Sequence, residues 1–434
     1  MSVFSLPLAE TAEALRTGEY NLNHYLNETC DRIAELEPVF RTLLPESNRR
    51  SRLLKEGGEL LKRYPDPACR PPLFGILVGV KDIFSVQGFP TRAGSKLPAE
   101  LFAEPEAVSV KILKEAGALV LGKTVTTEFA YFSPGPTRNP YNPEHTPGGS
   151  SSGSAAAVAL GFCPLALGTQ TIGSVIRPAA YCGVVGFKPS FDRIPTKGLV
   201  YFSVSSDHIG LFTQDIKGMK LAAGLLCTDW DSHVEKSLSL PVLGVPEGPY
   251  LNQAGTEILA EFANQIKNLR DRGFTIKRLP VFENITEINE RHRRLGAAEM
   301  ARVHQEWFAG YGSLYSMHTK EIYEKGRGIS DSELNSLQEK GAELRNNLRD
   351  IMARAEIDLW ISPAATDTAP KGLESTGSPI MNLPWTHAGM PVINIPAGKM
   401  NKIFPVGLQV TAGYGQDEKL LDWAGLIAQS FQSG

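Results

Sequence analysis

Residues 146–189 combine glycines, hydroxyl side chains and small apolar residues in one segment: TPGGSSSGSAAAVALGFCPLALGTQTIGSVIRPAAYCGVVGFKP. Glycines around the serine run 150–152 let the backbone approach another group closely. The pattern predicts a tightly packed helix over 155–161, a buried strand over 163–167 and a second serine-bearing turn over 168–174. The segment therefore has the composition of an active-site core.

The two serine-bearing turns predict a pocket, because the helix and strand between them allow the turns to face each other. Backbone N–H groups of the second turn would then point inward, where they can bind a developing oxyanion. A hydroxyl without a base is a weak nucleophile. Lys81 ends the apolar run LFGILVGVK, which has the length of a strand. Desolvation lowers the pKa of a buried lysine toward the range in which it accepts a proton, so Lys81 is the candidate base.

The lysine and two serines lie in three longer segments: GVKDIF with Lys81, PGGSSSGSAAAVA with Ser150, and GTQTIGSVIRPAAYCGVVGFKP with Ser174. Together these segments resemble the amidase signature family of amide hydrolases. The resemblance extends to KILKEAGALVLGKTVTTEFA, GPTRNPYNP and PWTHAGMPVINIPAG. It covers most of the chain and is weakest between about 285 and 355.

The resemblance implies a role for each of these residues. Ser174 would be the acyl-forming nucleophile, Ser150 would relay its proton, and Lys81 would be the neutral base. The Gly149–Ser150 peptide bond is expected to be cis, and Ser151 matches a position that steadies the relay by hydrogen bonding. The oxyanion hole would be formed by the backbone amides of Thr171, Ile172, Gly173 and Ser174. No cofactor and no metal are implied.

The nucleophile turn departs from the commoner family pattern, which has Asp at 170, Gly at 172 and Arg at 176. This chain has Gln170, Ile172 and Ile176 there, with Arg177 one place later. We expect Gln170 to brace the turn through neutral hydrogen bonds and Ile172 to narrow the acyl pocket. Because a β-branched side chain restricts φ and ψ, Ile172 also limits the geometry that its amide can adopt.

Patterns outside the core predict an α/β protein. Residues 107–121 have the pattern of a helix, a glycine and a buried strand, an alternation typical of α/β sheets. The resemblance implies a single large domain over residues 1–434, with a mixed twisted β-sheet covered on both faces by helices. We expect N-terminal helices over 1–64, a catalytic core over about 70–215, and a helical cap over about 285–355 before the C-terminal strands.

Composition and charge argue against several other classes. The chain is 42% hydrophobic with a formal net charge of −3, and it lacks the basic stripe of a nucleic-acid-binding protein. We interpret the basic cluster 291–294 as a solvated helix face. Five widely spaced cysteines indicate reduced packing residues. Neither a secretory signal nor an apolar run of membrane-spanning length is present, so we expect a cytoplasmic enzyme with no membrane partner.

Several side chains are candidates for contact with a substrate. Tyr131 and Phe132 fit a cleft wall, although they fit an ordinary aromatic core equally well. Arg177 is a candidate substrate contact, because a substrate carboxylate would require an arginine. Alternatives for the same role are Arg291, Arg293 and Arg294. Asp82 follows Lys81 directly, but strand alternation points its side chain to the opposite face.

Two other interpretations of the same residues predict different chemistry. Residues 149–153 fit the G-x-S-x-G nucleophile elbow of an esterase, with Ser151 as nucleophile. That elbow must follow a buried strand, whereas a proline-rich loop precedes it here. His145, His208 and His387 lack the close spacing with a carboxylate that metal hydrolases show, and we interpret them as structural residues.

The function implied by the resemblance is amide hydrolysis through a Ser174 acyl-enzyme, with release of ammonia or an amine. The substrate would be a small amide or a urea-like molecule, and the chain could form a homodimer. Within the family, the alternative is the glutamine-hydrolysing subunit of a tRNA-dependent amidotransferase. A catalytically inactive binding protein is a third possibility, but such a chain would normally have lost Lys81 or a serine.

Overall fold

The computed structural model of the protein describes residues 5–233 and 239–431. Within these ranges the strands are β1 (Leu77–Lys81), β2 (Leu119–Thr124), β3 (Leu165–Gln170), β4 (Val185–Lys188), β5 (His208–Thr213), β6 (Leu243–Glu247), β7 (Ile276–Pro280), β8 (Leu359–Pro363), β9 (Val392–Met400) and β10 (Phe404–Ala412). They form one sheet in the order β2-β1-β3-β5-β4-β9-β10-β8-β6-β7. Parallel pairs lie toward its two ends and antiparallel pairs in the middle. The predicted mixed sheet is confirmed.

Helices flank this sheet. Those of the described ranges are α1 (Leu8–Thr17), α2 (Leu22–Phe40), α3 (Arg49–Arg63), α4 (Val108–Glu115), α5 (Ser152–Ala159), α6 (Ile176–Cys182), α7 (Ile216–Leu226), α8 (Thr256–Asp271), α9 (Ile285–Val303), α10 (Gln305–Tyr311), α11 (Met317–Arg327), α12 (Asp331–Ala355), α13 (Leu383–His387) and α14 (Asp417–Gln429). Among these helices, none combines the length and the apolar character needed to cross a bilayer. With its large mixed sheet flanked by helices, the chain is a single-domain α/β protein.

Helix α5 shows why the core segment is rich in small residues. All of its residues are buried, and a Cβ atom on Gly153 would lie 2.2 Å from the carbonyl oxygen of Thr42. The helix starts and ends earlier than predicted. Its end precedes Gly161, which at φ 69° turns the chain toward β3. That strand accordingly begins two residues later than predicted. Only small side chains fit between these backbones.

The sheet brings the two halves of the predicted site together. β1 and β3 are parallel neighbours, so the residues that follow them emerge at the same edge. Lys81 is the last residue of β1, and the turn carrying Ser174 follows Gln170 at the end of β3. Sites in α/β sheets form at the carboxyl ends of strands for this reason.

Candidate active site

Lys81 is completely buried and contacts two hydroxyls. Its Nζ donates hydrogen bonds to Ser150 Oγ at 2.7 Å and to Thr169 Oγ1 at 2.8 Å. Burial lowers the pKa of Lys81 to about 7, because desolvation disfavours the charged form. A large fraction of this lysine is therefore neutral near pH 7, and in that state it can accept a proton from Ser150.

Asp207 supplies the negative charge that acts on Lys81. Burial raises the pKa of this carboxyl group to about 6, against hydrogen bonds that favour the anion. Oδ2 accepts from the backbone N–H groups of Phe202 at 2.8 Å and Ser203 at 3.0 Å, and Oδ1 accepts from the Thr171 hydroxyl. The electrostatic attraction between Asp207 and Lys81 raises the lysine pKa and partly offsets its burial.

Asp82 takes no part in this arrangement. Its side chain lies on the opposite face of the strand end, as alternation predicts, and pairs with buried Lys123 at 2.8 Å. The charge of Asp82 is thus neutralised by Lys123, although Asp82 directly follows Lys81 in the sequence.

The two serines line one narrow cavity of about 20 Å³, next to Ala130, Thr376 and Pro379. The Gly149–Ser150 peptide bond is cis, as the resemblance implied. Ser174 lies in the turn between β3 and α6 and retains 8% exposure. Ser151 is bound to the backbone of Thr169: its Oγ donates to the Thr169 carbonyl and accepts from the Thr169 N–H, both at 3.2 Å. Because Thr169 also contacts Lys81, Ser151 fixes one wall of the lysine site.

Gln170 braces the nucleophile turn. Its Oε1 accepts from the backbone N–H groups of Val175 at 2.9 Å and Ile176 at 3.0 Å. Its Nε2 donates to Thr386 Oγ1 at 2.9 Å, and the Thr386 hydroxyl donates to the carbonyl of Ile172 at 2.7 Å. These are the neutral hydrogen bonds expected of Gln170.

A pair of histidines holds the start of the same turn. His292 on α9 donates from Nε2 to the Thr171 carbonyl at 2.8 Å, and its Nδ1 lies 3.3 Å from Nδ1 of His387. Burial lowers the pKa of His292 to about 4 and that of His387 to about 3, so both rings are neutral. Since His292 Nε2 carries the proton, its Nδ1 accepts a hydrogen bond from His387.

The prediction that residues 291–294 form a solvated helix face is wrong for His292, which is 1% exposed. Hydrophobic periodicity did not reveal the burial of His292, because this polar side chain packs against the backbone carbonyl of Thr171 and not against an apolar surface. The other two histidines considered as ligands bind backbone oxygens: His145 Nδ1 lies 2.7 Å from Ala369 O, and His208 Nδ1 lies 2.7 Å from Ser206 O. Over the described ranges, no cluster of three potential metal ligands occurs.

Arg177 lies beside the serines, but its guanidinium group is already bound by the protein. It donates to the carbonyl oxygens of Gly149 at 2.7 Å and Gly377 at 2.9 Å, and to Thr376 Oγ1 at 3.1 Å. Burial lowers its pKa to about 10. Arg177 therefore joins the Ser150 loop to the loop 376–377, and its two terminal nitrogens are committed to those contacts.

Tyr131 and Phe132 line both the narrow cavity and a second cavity of about 350 Å³. Thr171, Ile172, Phe202 and Pro379 are also shared, so the two cavities adjoin. The larger one is walled by α9 and α11, which belong to the segment where the family resemblance is weakest. An amide bound at the serines would extend toward these helices.

Comparison with known proteins shows the family of this chain. The family model described as Amidase matches residues 24–421. The chain belongs to the amidase family. It is 30% identical to a glutamyl-tRNA(Gln) amidotransferase subunit from Roseiflexus castenholzii (strain DSM 13941 / HLO8), over 96% of this chain and 94% of the relative.

Solved amidase structures share the whole fold. A crystal structure of an amidase superposes with a TM-score of 0.88 at 30% identity, covering 98% of this chain and all of that one (100%). A structure from a vestigial protein complex, which bears on the origins of an s-triazine catabolic enzyme, superposes with a TM-score of 0.86 at 25% identity, covering 98% and 99%. This amidase is thus an amide-hydrolysing enzyme by family and by fold.

Three side chains around the candidate site were not assigned to it from the sequence: Thr169, His292 and Thr386. Thr169 lies next to Gln170 within the nucleophile segment, and that adjacency was the available signal. His292 lies in a helix with no local motif, and Thr386 lies in PWTHAGMPVINIPAG, a segment that carries the family resemblance but whose spacing assigns no contact. Their contacts depend on the folded sheet and could not be inferred from spacing.

Proposed function

We propose that this amidase hydrolyses the carbon–nitrogen bond of a small amide or urea-like substrate through an acyl-enzyme on Ser174. The observation that carries the proposal is the contact between the buried Lys81 amine and Ser150 at 2.7 Å. A lysine whose pKa lies near 7 is poised to take a proton at neutral pH. A relay serine between it and Ser174 would activate the nucleophile.

In the proposed reaction, Ser174 Oγ attacks the carbonyl carbon, and its proton passes through Ser150 Oγ to neutral Lys81. The backbone N–H groups of residues 171–174 stabilise the oxyanion. When the intermediate collapses, the C–N bond breaks and the proton returns through Ser150 to the nitrogen, which leaves as ammonia or an amine. Water then attacks the Ser174 ester, the same relay takes up and returns a proton, and the acid product leaves.

In the proposed reaction, Asp207 stabilises the protonated form of Lys81. When neutral Lys81 accepts the relay proton it becomes positively charged, and the nearby carboxylate stabilises that state. Without Asp207, burial would make the lysine a weaker base. The site thus combines a neutral resting amine with a stabilised ammonium intermediate.

The helices α9 to α12 act as the cap that selects the substrate in this proposal. Of these helices, α9 and α11 supply part of the 350 Å³ cavity, a volume at the lower end for small-molecule sites. The s-triazine association of one structural neighbour supports keeping urea-like molecules within the substrate class. A cytoplasmic location and a homodimer stay predictions.

The test is ammonia release by the purified chain. The panel would contain small aliphatic, aromatic and urea-derived amides together with glutamine, and Ser174→Ala would serve as the blank. We expect turnover of at least one amide class by the wild type and none above background by Ser174→Ala. Equal rates in the two proteins would contradict the acyl-enzyme.

A glutamine-hydrolysing amidotransferase subunit is the second candidate function. It is favoured by the extent of the match to the Roseiflexus amidotransferase protein, which covers 96% of this chain. Against it stand the Gln170 and Ile172 substitutions in the nucleophile turn. Glutamine hydrolysis by the isolated chain, with other amides inert, would favour this candidate. Turnover of the other amides without a partner would favour the stand-alone enzyme.

A further inference from the structure

We propose that the larger cavity binds the anionic end of an elongated amide substrate, with Arg293 on α9 and Lys325 on α11 as its recognition residues. This inference rests on the proposed function and narrows its substrate class. The substrate would place its amide at the serines, an apolar body along the shared walls, and a carboxylate between the two helices.

The wall from α9 is one face of that helix. Glu290, Arg293, Arg294 and Ala297 all line the cavity, and their spacing of three, four and seven residues places them on the same side of a helix. Gly296 and Ala297 add little bulk, so the charged side chains border open space.

Helix α11 also contributes one of its faces to the cavity wall. Ile322 and Lys325 line the cavity, followed by Ile329 just beyond the helix end. The two helices touch closely, because a Cβ atom on Gly326 would lie 1.9 Å from the carbonyl oxygen of Ala297. Arg293 lies one turn before that contact on α9, and Lys325 lies next to it on α11. The crossing therefore places the two cations at the border of one cavity.

The charges around the cavity are not balanced internally. Arg294 pairs with Glu333, and Arg291, which does not line the cavity, pairs with Glu287 at 2.9 Å. Among the residues that the structure describes, Arg293 and Lys325 form no ion pair, and both are exposed. Glu290 is the acidic residue of the lining. Two unpaired cations facing one carboxylate leave the cavity net positive, which favours an anion.

The apolar part of the lining of the larger cavity indicates the chemical nature of the middle of the substrate. Between the serines and the cations lie apolar side chains contributed by several elements: Phe132, Ile172, Phe202, Ile380 and Leu383. An uncharged chain or ring fits this surface. Burial raises the pKa of Tyr131 to about 12, while the charges of Arg293 and Glu321 act on this pKa in opposite directions. A monoamide of a dicarboxylic acid has the required order of amide, apolar spacer and carboxylate.

The experiment compares matched probes. Monoamides of the linear dicarboxylic acids from succinic to sebacic acid would be assayed by ammonia release beside primary amides of the same carbon number, at low and high salt. We expect the best monoamide to exceed its neutral partner in kcat/KM by about tenfold or more, with the preference lying in KM. We also expect the preference to shrink at high salt, since screening weakens exposed charge interactions.

The variant Arg293→Gln/Lys325→Gln should reduce the ratio of charged to neutral kcat/KM by about tenfold. Arg291→Gln removes the same charge from the same helix outside the cavity and should keep the wild-type ratio. Glu290→Gln should increase it. Circular dichroism of each variant would confirm that the fold is retained. An unchanged ratio in the double variant, or an equal drop in Arg291→Gln, would overturn the proposal.

Failure of this inference is separable from failure of the proposed function. If the wild type cleaves neutral amides but prefers no monoamide, the anion site is refuted and the amidase proposal stands. If no amide is cleaved, calorimetric binding of adipamate to Ser174→Ala, with and without the two glutamine substitutions, decides the anion site alone. Loss of binding in the substituted protein supports the site, and absent or equal binding overturns it.

Discussion

His292 Nε2 donates a hydrogen bond of 2.8 Å to the carbonyl oxygen of Thr171, which shares a peptide unit with the N–H of Ile172. Thr386 does the same for the carbonyl of Ile172 at 2.7 Å, whose peptide unit carries the N–H of Gly173. A hydrogen bond accepted by a peptide carbonyl polarises the unit and makes its N–H a stronger donor. Two of the four amides proposed to hold the oxyanion, those of Ile172 and Gly173, are thus made stronger donors by side chains bound to the opposite side of their peptide units.

Loss of the His292 contact should lower kcat more than it changes KM. Replacement by alanine removes the donor to Thr171 while the lining of the narrow cavity stays in place, and we expect kcat to fall by about 10- to 100-fold, part of the cost of losing an oxyanion-hole donor outright. His292→Gln keeps an N–H donor and should restore part of the rate. His145→Ala is the matched control, because His145 binds Ala369 outside the turn. A rise in KM at constant kcat would instead indicate a role in substrate binding.

The pH dependence of kcat/KM should follow deprotonation of Lys81. The amine accepts the relay proton only when neutral, so the rate should increase as pH rises through about 7 and then level off. Steady-state assays across the neutral and alkaline range would measure this limb. Lys81→Met should abolish turnover, and a limb near the ordinary lysine pKa of about 10.4 would contradict the neutral base.

Removing the Asp207 charge should shift that limb to lower pH. The carboxylate raises the pKa of Lys81, so Asp207→Asn should lower this pKa and move the midpoint toward acid. Overall activity should fall as well, because the asparagine disturbs contacts with Phe202 and Ser203. Asp82→Asn provides the control, since Asp82 pairs with Lys123 at 2.8 Å and should leave the midpoint in place. Identical midpoints in the wild type and Asp207→Asn would refute the coupling.

Ile172→Gly should widen the range of acyl groups that the enzyme accepts. The isoleucine side chain lines both cavities, and its removal leaves space at their junction. We expect kcat/KM for branched or aromatic amides to rise relative to short linear ones, with a stability loss of about 1 kcal/mol from the added backbone freedom. Competition assays and thermal unfolding would measure both effects. Unchanged selectivity would show that Ile172 does not limit the acyl groups that the enzyme accepts.

Sequence reasoning succeeded where the chemistry lies in contiguous segments. Lys81 at a strand end and the serines in glycine-rich turns are local features, and the core of the fold follows from them together with the family resemblance. Gln170 could be assigned as a brace because it replaces an acidic residue within the same turn. Each of these correct predictions depended on the spacing of residues within one short segment.

The groups that tune the site could not be found in this way. Asp207 acts on Lys81 across the sheet, whereas the adjacent Asp82 is turned away and paired with Lys123. His292 lies in a basic helical cluster whose composition indicates solvent exposure, yet a carbonyl from a distant turn receives its hydrogen bond. Such contacts arise from tertiary packing, which the order of residues along the chain does not encode in any short pattern.

The contacts of the nucleophile turn also bear on when the enzyme becomes active during synthesis. Lys81 and both serines lie in the first half of the chain, whereas His292 on α9 and Thr386 on α13 lie in the second half and leave the ribosome later. A domain generally folds as a unit, so a partly synthesised chain that ends before α13 would lack Thr386 and the central strands β9 and β10, and could not complete the sheet that positions the relay. Hydrolytic capacity would thus be withheld from nascent chains until nearly the full length has been translated.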